Sequence, residues 1–265
     1  MFEGTEIVGK KSIVLITLDT LRYDVAQQLF LDGETPNLAK MLPASGWEKR
    51  HAPGSFTYAS HHAFFAGFLP TPADNPKAPR LFAAKFAGSE TATQGTYVFE
   101  TPNIVMGLEE AGYHTICIGG VGFFNKQTAL SQQFPGMFQE SHWQTSFGVT
   151  DPSSTENQFK KAADCLSHLS DDQHFFLFIN ISAIHQPNHF YLTDTEEDTK
   201  ASHAAALKYV DSQLPLLFSS LKQRGETFCI FCSDHGTTYG EEGYTGHRLA
   251  HKHVWEVPYA EFLVK

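Results

Sequence analysis

The sequence predicts an α/β protein built on a mostly parallel sheet covered on both faces. Two observations carry that reading. Segments with helical patterning alternate with strand-like segments along most of the chain. The strand-like segments are solid apolar blocks, as strands buried on both faces require. In such sheets functional side chains collect just beyond the carboxyl ends of the strands.

Taken in order, residues 11–18 are β-branched and apolar and predict a buried strand. Residues 35–42 open on Thr35-Pro36, an N-cap and first-turn pair, and predict a short helix. Pro70, Pro72, Pro76 and Pro79 predict an extended loop over 70–79, the stretch after it to Gly95 is irregular, and 73–96 as a whole carries no readable motif. Thr101-Pro102 opens another helix, with Ile104, Val105, Leu108 and Ala111 on one face and Gly112 as its stop. A strand over 114–118 ends at Gly119-Gly120. A helix over 154–169 and an apolar strand over 175–181 follow. Residues 201–224 predict a long amphipathic helix in which Pro215 predicts an interruption. Strands over 227–231 and 257–264 complete the pattern. No repeat or linker is visible, so residues 1–265 are read as a single domain.

A chain of 265 residues can bury a sizeable core. Hydrophobic residues at 42% against 18% charged exclude a disordered or collagen-like chain. The formal net charge of −10 is a poor match to nucleic acid or an anionic membrane. No apolar run reaches the ~18 residues of a membrane span, and residues 1–11 carry no apolar signal segment. The expectation is a soluble, cytoplasmic protein with neither nucleic acid nor membrane as partner; oligomeric state is not legible. Four cysteines are too few for a disulfide scaffold. Cys229 and Cys232 form a C-x-x-C, but residues three apart in a strand face opposite ways, so they read as structural.

Histidines, 14 in all, cluster in a few short stretches and give the first hint of chemistry. Asp19 directly follows the first strand, where a carboxylate points into the crevice; alone it reads as a helix N-cap. Asp234-His235-Gly236 directly follows another strand, offering one hard and one borderline metal ligand or a simple turn. Residues 52–62 pack Ser55, Thr57, Ser60, His61 and His62 ahead of an apolar helix, where a hydroxyl either caps the helix or sits in its positive field. His185 and His189 follow the 175–181 strand, and His247, His251 and His253 lie beyond Asp234. Arg22 reads as a phosphate ligand or as a partner of Asp24.

Together and in this order these segments resemble the alkaline phosphatase superfamily on its sulfatase-like branch. Leu18-Asp19-Thr20-Leu21-Arg22-Tyr23-Asp24 resembles its opening metal-binding segment, and Thr35-Pro36-Asn37-Leu38 its TPNL helix. Thr57-Tyr58-Ala59-Ser60-His61, closed by Gly67-Phe68-Leu69-Pro70, resembles the nucleophile segment. Residues 108–115 resemble LxxAGYxT, and 175–187 the strand and loop ending in H-x-P. Tyr209-Val210-Asp211 resembles the long helix before the last motif. Ser233-Asp234-His235-Gly236 with Gly240-Glu241 resembles SDHGxxxGE, and Val257-Pro258 the VP that follows. The match covers roughly residues 12 to 264.

The resemblance implies a three-layer α/β/α sandwich and a metal-dependent ester hydrolase or transferase. It places Asp19, Asp234 and His235 on a metal, with Thr57 as nucleophile completing the ligand set. It implies that His61, His185 and His247 hold substrate oxygens or act as acid and base. Mixed carboxylate and imidazole suit Zn²⁺ or Mn²⁺ better than Ca²⁺. A second metal, held by His185 and His189 with His247 or His251, competes with direct binding of substrate anions by these histidines. Sulfatases carry Cys or Ser where this chain has Thr57, and threonine cannot give their aldehyde. Ala59 replaces their proline and Thr20 their second Asp. A threonine nucleophile resembles the phosphodiesterase, phosphonate-hydrolase and phosphoethanolamine-transferase branches. The expectation is metal-dependent hydrolysis of a small anionic phosphate ester, a mono- or diester or a phosphonate, through a phospho-threonine intermediate on Thr57. Its rivals are phosphoryl transfer to a small metabolite, sulfuric ester hydrolysis, and a degenerate member that only binds a metal or metabolite.

Overall fold

The computed structural model describes residues 2–67, 69, 80–82, 96–98, 103–193 and 195–265, with 80–82 and 96–98 as backbone. The helices are α1 Gly4–Ile7, α2 Tyr23–Leu31, α3 Pro36–Ala39, α4 Thr57–Ala66, α5 Ile104–Glu110, α6 Ser154–Ser167, α7 Lys200–Gln223 and α8 Lys252–Trp255. The strands are β1 Ser12–Leu18, β2 Glu48–His51, β3 Arg80–Phe82, β4 Thr96–Val98, β5 His114–Ile118, β6 Glu140–His142, β7 Phe175–Ile181, β8 Thr227–Cys232, β9 Thr238–Tyr239, β10 Thr245–Gly246 and β11 Glu256–Val264.

The main sheet has the order β2-β11-β8-β1-β7-β5-β6, with β3-β4 and β9-β10 as separate pairs. β8, β1, β7, β5 and β6 run parallel; β11 is antiparallel to both β8 and β2. Alternate residues of each strand feed opposite layers. Val14, Ile16 and Leu18 pack with α2, α3, α6 and α7, whereas Ile13, Phe176, Phe178 and Phe228 pack with residues of α1, α4 and α5. Two cores on one sheet make the α/β/α sandwich.

The apolar blocks form the central strands as their composition requires. Gly112, at φ 88°, ends the turn after α5. The expected start at Thr101-Pro102, the proline-rich loop over 70–79 and most of the stretch over 73–96 lie outside the described residues, as do Phe68 and Pro70 of the turn closing the nucleophile segment. In α5 the side chain of Asn103 caps by accepting from the Met106 N–H at 3.0 Å.

The interruption expected at Pro215 is corrected: α7 runs through it. A proline there leaves the carbonyl four residues back without its helical donor. That carbonyl belongs to Asp211, and Asn37 Nδ2 donates to it at 3.0 Å. The Asp211 carboxylate in turn accepts the Asn37 and Leu38 N–H groups at 3.1 and 2.7 Å, satisfying the start of α3. One aspartate thus locks the two helices together. All four cysteines are buried free thiols.

Candidate active site

The site forms where three parallel strands end side by side. Thr17 of β1 is in register with Cys232 of β8 on one side and Asn180 of β7 on the other. Asp19 follows β1, its N–H still donating to Ile181 O at 3.1 Å, so the ladder fixes where its carboxylate points. Asp234 and His235 follow β8. Thr57 is the first residue of α4, a ten-residue helix whose free N–H groups concentrate positive field there.

These distant segments converge. Thr57 Oγ1 lies 3.5 Å from Asp19 Oδ2 and 3.3 Å from His235 Nε2. His235 Nε2 lies 3.5 Å from Asp234 Oδ2 and 3.9 Å from Asp19 Oδ1. His235 Nδ1–H donates to Gly236 O at 2.8 Å, which leaves the Nε2 lone pair facing the oxygens. All four residues are buried.

Burial sets the electrostatics. It pushes the Asp19 carboxyl up to about 6, with the Asp234 charge adding to it, and the Asp234 carboxyl up to about 7. Asp19 Oδ1 and Asp234 Oδ2 have no hydrogen-bond partner. Two orphaned carboxylate oxygens in a dry interior are costly unless a cation meets them. A tetrahedral Zn²⁺ with bonds of about 2.0–2.2 Å holds neighbouring donors about 3.3–3.6 Å apart, close to the spacings here. Asp19, Thr57, Asp234 and His235 therefore fit a divalent cation.

Beside Thr57 opens a cleft of ≈ 300 Å³ lined by Phe123, Thr128, His185, His247 and Arg248 among others. The His247 ring lies 4.6 Å from that of His235 and 5.5 Å from that of His185. Burial, then His235 and His185, hold His247 down to about 3, so it stays neutral.

Four expected site residues face other partners. Arg22 is buried and bidentate to Asp24, with both bonds at 2.8 Å, and its remaining nitrogen pairs with Glu241. His189 lies on a short 3-10 turn against Asp198, 3.3 Å away. His251 caps α8 by accepting from His253 N at 3.2 Å, with Glu242 at 3.8 Å. None of the three lines the cleft. The expected second metal group is not assembled among the described residues: 185–188 makes no helical turn, His189 pairs with Asp198, and His185 is in ring contact with His247. His61 sits 3.6 Å from Asp234 Oδ2, but its ring nitrogens pair with Thr57 O at 2.8 Å and Thr17 Oγ1 at 3.0 Å. Phe124 and Phe178 pack edge-on against it, and it lies away from the cleft lining. Its place is behind the first turn of α4, which it ties to β1.

The family model for sulfatases matches residues 11–261. The chain belongs to the sulfatase family. This sulfatase-family chain is similar to the C-terminal periplasmic domain of phosphoethanolamine transferase EptC from Campylobacter jejuni, at 15% identity and TM-score 0.62, over 96% of this chain and 79% of that one. It is similar to the EptC domain from Escherichia coli in complex with Zn, at 13% identity and TM-score 0.64, over 96% and 73%. It is also similar to the putative sulfatase yidJ from Bacteroides fragilis, at 17% identity and TM-score 0.65, over 99% and 70%. These likenesses are of fold, which is alkaline-phosphatase-like. No curated protein sequence matches the chain.

Two residues of this sulfatase-family site escape the sequence reading. Asn180 is the one polar side chain in the block Phe175–Ile181, which was its signal. Its Nδ2 donates to Asp19 Oδ2 at 3.0 Å and Thr17 Oγ1 at 3.2 Å, while Oδ1 accepts from Val121 N at 2.9 Å. An orienting partner of this kind tunes a ligand. Asn180→Ala is expected to weaken divalent-cation binding about 10–100-fold, read by isothermal titration; unchanged affinity would remove Asn180 from the site. Arg248 is the other. At φ 68° and with its N–H on Ser55 O at 2.8 Å, it stacks over Phe56 and lines the cleft beside Thr57.

Gly236 explains how His235 is placed. A Cβ there would lie 1.9 Å from His253 O, so only glycine lets the two backbones meet. Gly236→Ala is expected to cost at least about 2 kcal/mol in denaturant unfolding and to displace His235; wild-type stability would refute the close approach.

Proposed function

We propose that this chain is a metal-dependent hydrolase of phosphate esters, whether monoesters, diesters or phosphonates, with Thr57 as nucleophile. One observation carries the reading: Thr57 Oγ1 sits within 3.5 Å of both Asp19 and His235, at a helix N-terminus and on the wall of a cleft. A divalent cation held by Asp19, Thr57, Asp234 and His235 supplies charge that acidifies a hydroxyl and offsets phosphoryl negative charge. Thr57 Oγ1 attacks phosphorus in line and the ester oxygen leaves, giving a phospho-threonine. Water then attacks that phosphorus and the Thr57 oxygen departs. His185, whose Nδ1 is engaged by Gln186 O at 2.5 Å, presents Nε2 for the proton transfers, and neutral His247 accepts or shares hydrogen bonds. Arg248, at the cleft wall, is placed to bind the substrate's anionic oxygens.

The sulfatase route to an aldehyde is closed to threonine, which is why phosphate is preferred over sulfate here. A second reading, transfer to an acceptor alcohol, draws on the phosphoethanolamine transferases whose fold this chain shares. A panel of aryl phosphate mono- and diesters, phosphonates and sulfates, run with Zn²⁺, Mn²⁺ and Mg²⁺, tests the reaction class. Metal-dependent release from a phosphate ester or phosphonate is expected. Products that change with an added acceptor alcohol would mark a transferase. Turnover of sulfates alone would overturn the phosphate reading, and a folded protein that takes up no divalent metal would leave a binding module.

A further inference from the structure

At the opposite edge of the sheet from β2 lies a second group of metal-ligating side chains. Among the described residues β6 is the edge strand and pairs with β5 alone, with Glu140 opposite Ile116 and His142 opposite Ile118. Ile116 and Ile118 face the layer that holds α6. By the two-residue period, His114, Glu140 and His142 face that layer too. There Cys165 of α6 comes down onto them.

The contacts are close. The Glu140 carboxylate lies 2.5 Å from His142 Nε2 and 3.2 Å from Cys165 Sγ through one oxygen, and 3.1 Å from His114 Nε2 through the other. One ligand atom each from Glu140, His142 and Cys165 falls within a 4.8 Å span. Cys165 is 4% exposed, whereas the side chains of His142 and Glu140 are 26% and 32% exposed, so solvent reaches the group from one side. Lys161, on the same helix as Cys165, pairs with Asp164 Oδ2 at 2.8 Å.

We propose that His142 Nε2, the Glu140 carboxylate and Cys165 Sγ form a separate site for a borderline-soft divalent cation of the zinc class. A thiolate with an imidazole and a carboxylate is the donor mix such ions select over Mg²⁺ or Ca²⁺. The 3.2 Å between sulfur and carboxylate is about 0.4 Å short of the tetrahedral edge that Zn–S and Zn–O bonds give. The 2.5 Å between carboxylate and His142 opens by about an ångström through rotation of the part-exposed Glu140 side chain. His114 keeps the second carboxylate oxygen and orients it. On binding, the Cys165 thiol loses its proton to solvent and the His142 ring carries its proton on Nδ1, so one proton is released per ion. The ion fastens a three-residue edge strand to the helix that covers it.

Co²⁺ titration of the metal-stripped full chain tests this, because a thiolate–cobalt bond gives a near-ultraviolet charge-transfer band. No cysteine belongs to the candidate ligand group around Thr57, so the band reports only the proposed site. The expected result is two bound equivalents, with the band saturating at one. Cys165→Ser loses the band and one equivalent. His142→Gln weakens it at least tenfold. Asp234→Asn keeps the band and loses the other equivalent. A folded wild-type chain without the band, or a band that survives Cys165→Ser, would leave a hydrogen-bonded cluster only.

Discussion

Thr57→Ala is expected to lower turnover of a phosphate ester by at least about 10³-fold, the scale of loss when a covalent nucleophile is removed. The fold should survive. The side chain is small, and the Thr57 carbonyl that His61 engages is kept. Asp19, Asp234 and His235 still supply three donors, so the purified variant should retain bound cation. Thr57→Ser keeps the hydroxyl and should stay within about tenfold of wild type, which separates loss of the oxygen from loss of packing. Mass spectrometry of quenched reactions should find a phosphoryl group on Thr57 in wild type and none in the alanine variant. Two neighbouring hydroxyls are the rivals. Ser60 Oγ is buried without a hydrogen-bond partner, and Ser55 borders Arg248 through its carbonyl. A Thr57→Ala chain with more than about a tenth of wild-type turnover would pass the role to one of them.

Much of this arrangement is legible in the sequence because both candidate carboxylate ligands follow an apolar block. Asp19 after β1 and Asp234-His235 after β8 are carried to one place by a parallel sheet whose neighbours the blocks announce. The edge strands are not legible. Glu48–His51 is exposed at every position, and Glu140–His142 is polar throughout, so neither shows a core-facing pattern. Both are strands only because a neighbour supplies the ladder. Pro215 misleads for a similar reason: local chemistry predicts a break, and Asn37, distant in sequence, supplies the missing donor. The pairing of His185 with His189 assumed a helical turn that the loop does not make. Arg248 carries no periodic signal at all, since a left-handed loop residue places it.

Replacing Asp234 by asparagine should stabilise the metal-free protein, and the gain should grow with pH. Asp234 titrates near 3.8 when unfolded and is raised to about 7 by burial in the fold. Between those values the folded state binds the extra proton, so this group's contribution to stability is greatest at low pH and is lost as pH rises to roughly 7. A tenfold difference in proton affinity between folded and unfolded chains is worth ~1.4 kcal/mol, so the gap between variant and wild type should reach a few kcal/mol at pH 7.5 and shrink toward pH 4. The wild-type curve alone does not isolate this. Burial lowers His61, His203 and His247 to about 3, and these groups lose stability as pH falls below the unfolded histidine value of 6.5. They are common to both proteins and cancel in the comparison. A cation inverts the order. Saturating Mn²⁺, an ion suited to oxygen and imidazole donors rather than thiolate, should raise the melting temperature of wild type at pH 7.5 and leave Asp234→Asn nearly unmoved. At pH 5, where protons compete for the same carboxylates, the Mn²⁺ effect should be smaller. Equal stability of the two metal-free proteins at pH 7.5, with Mn²⁺ stabilising both alike, would mean that Asp19 and Asp234 are not a buried pair waiting for a cation.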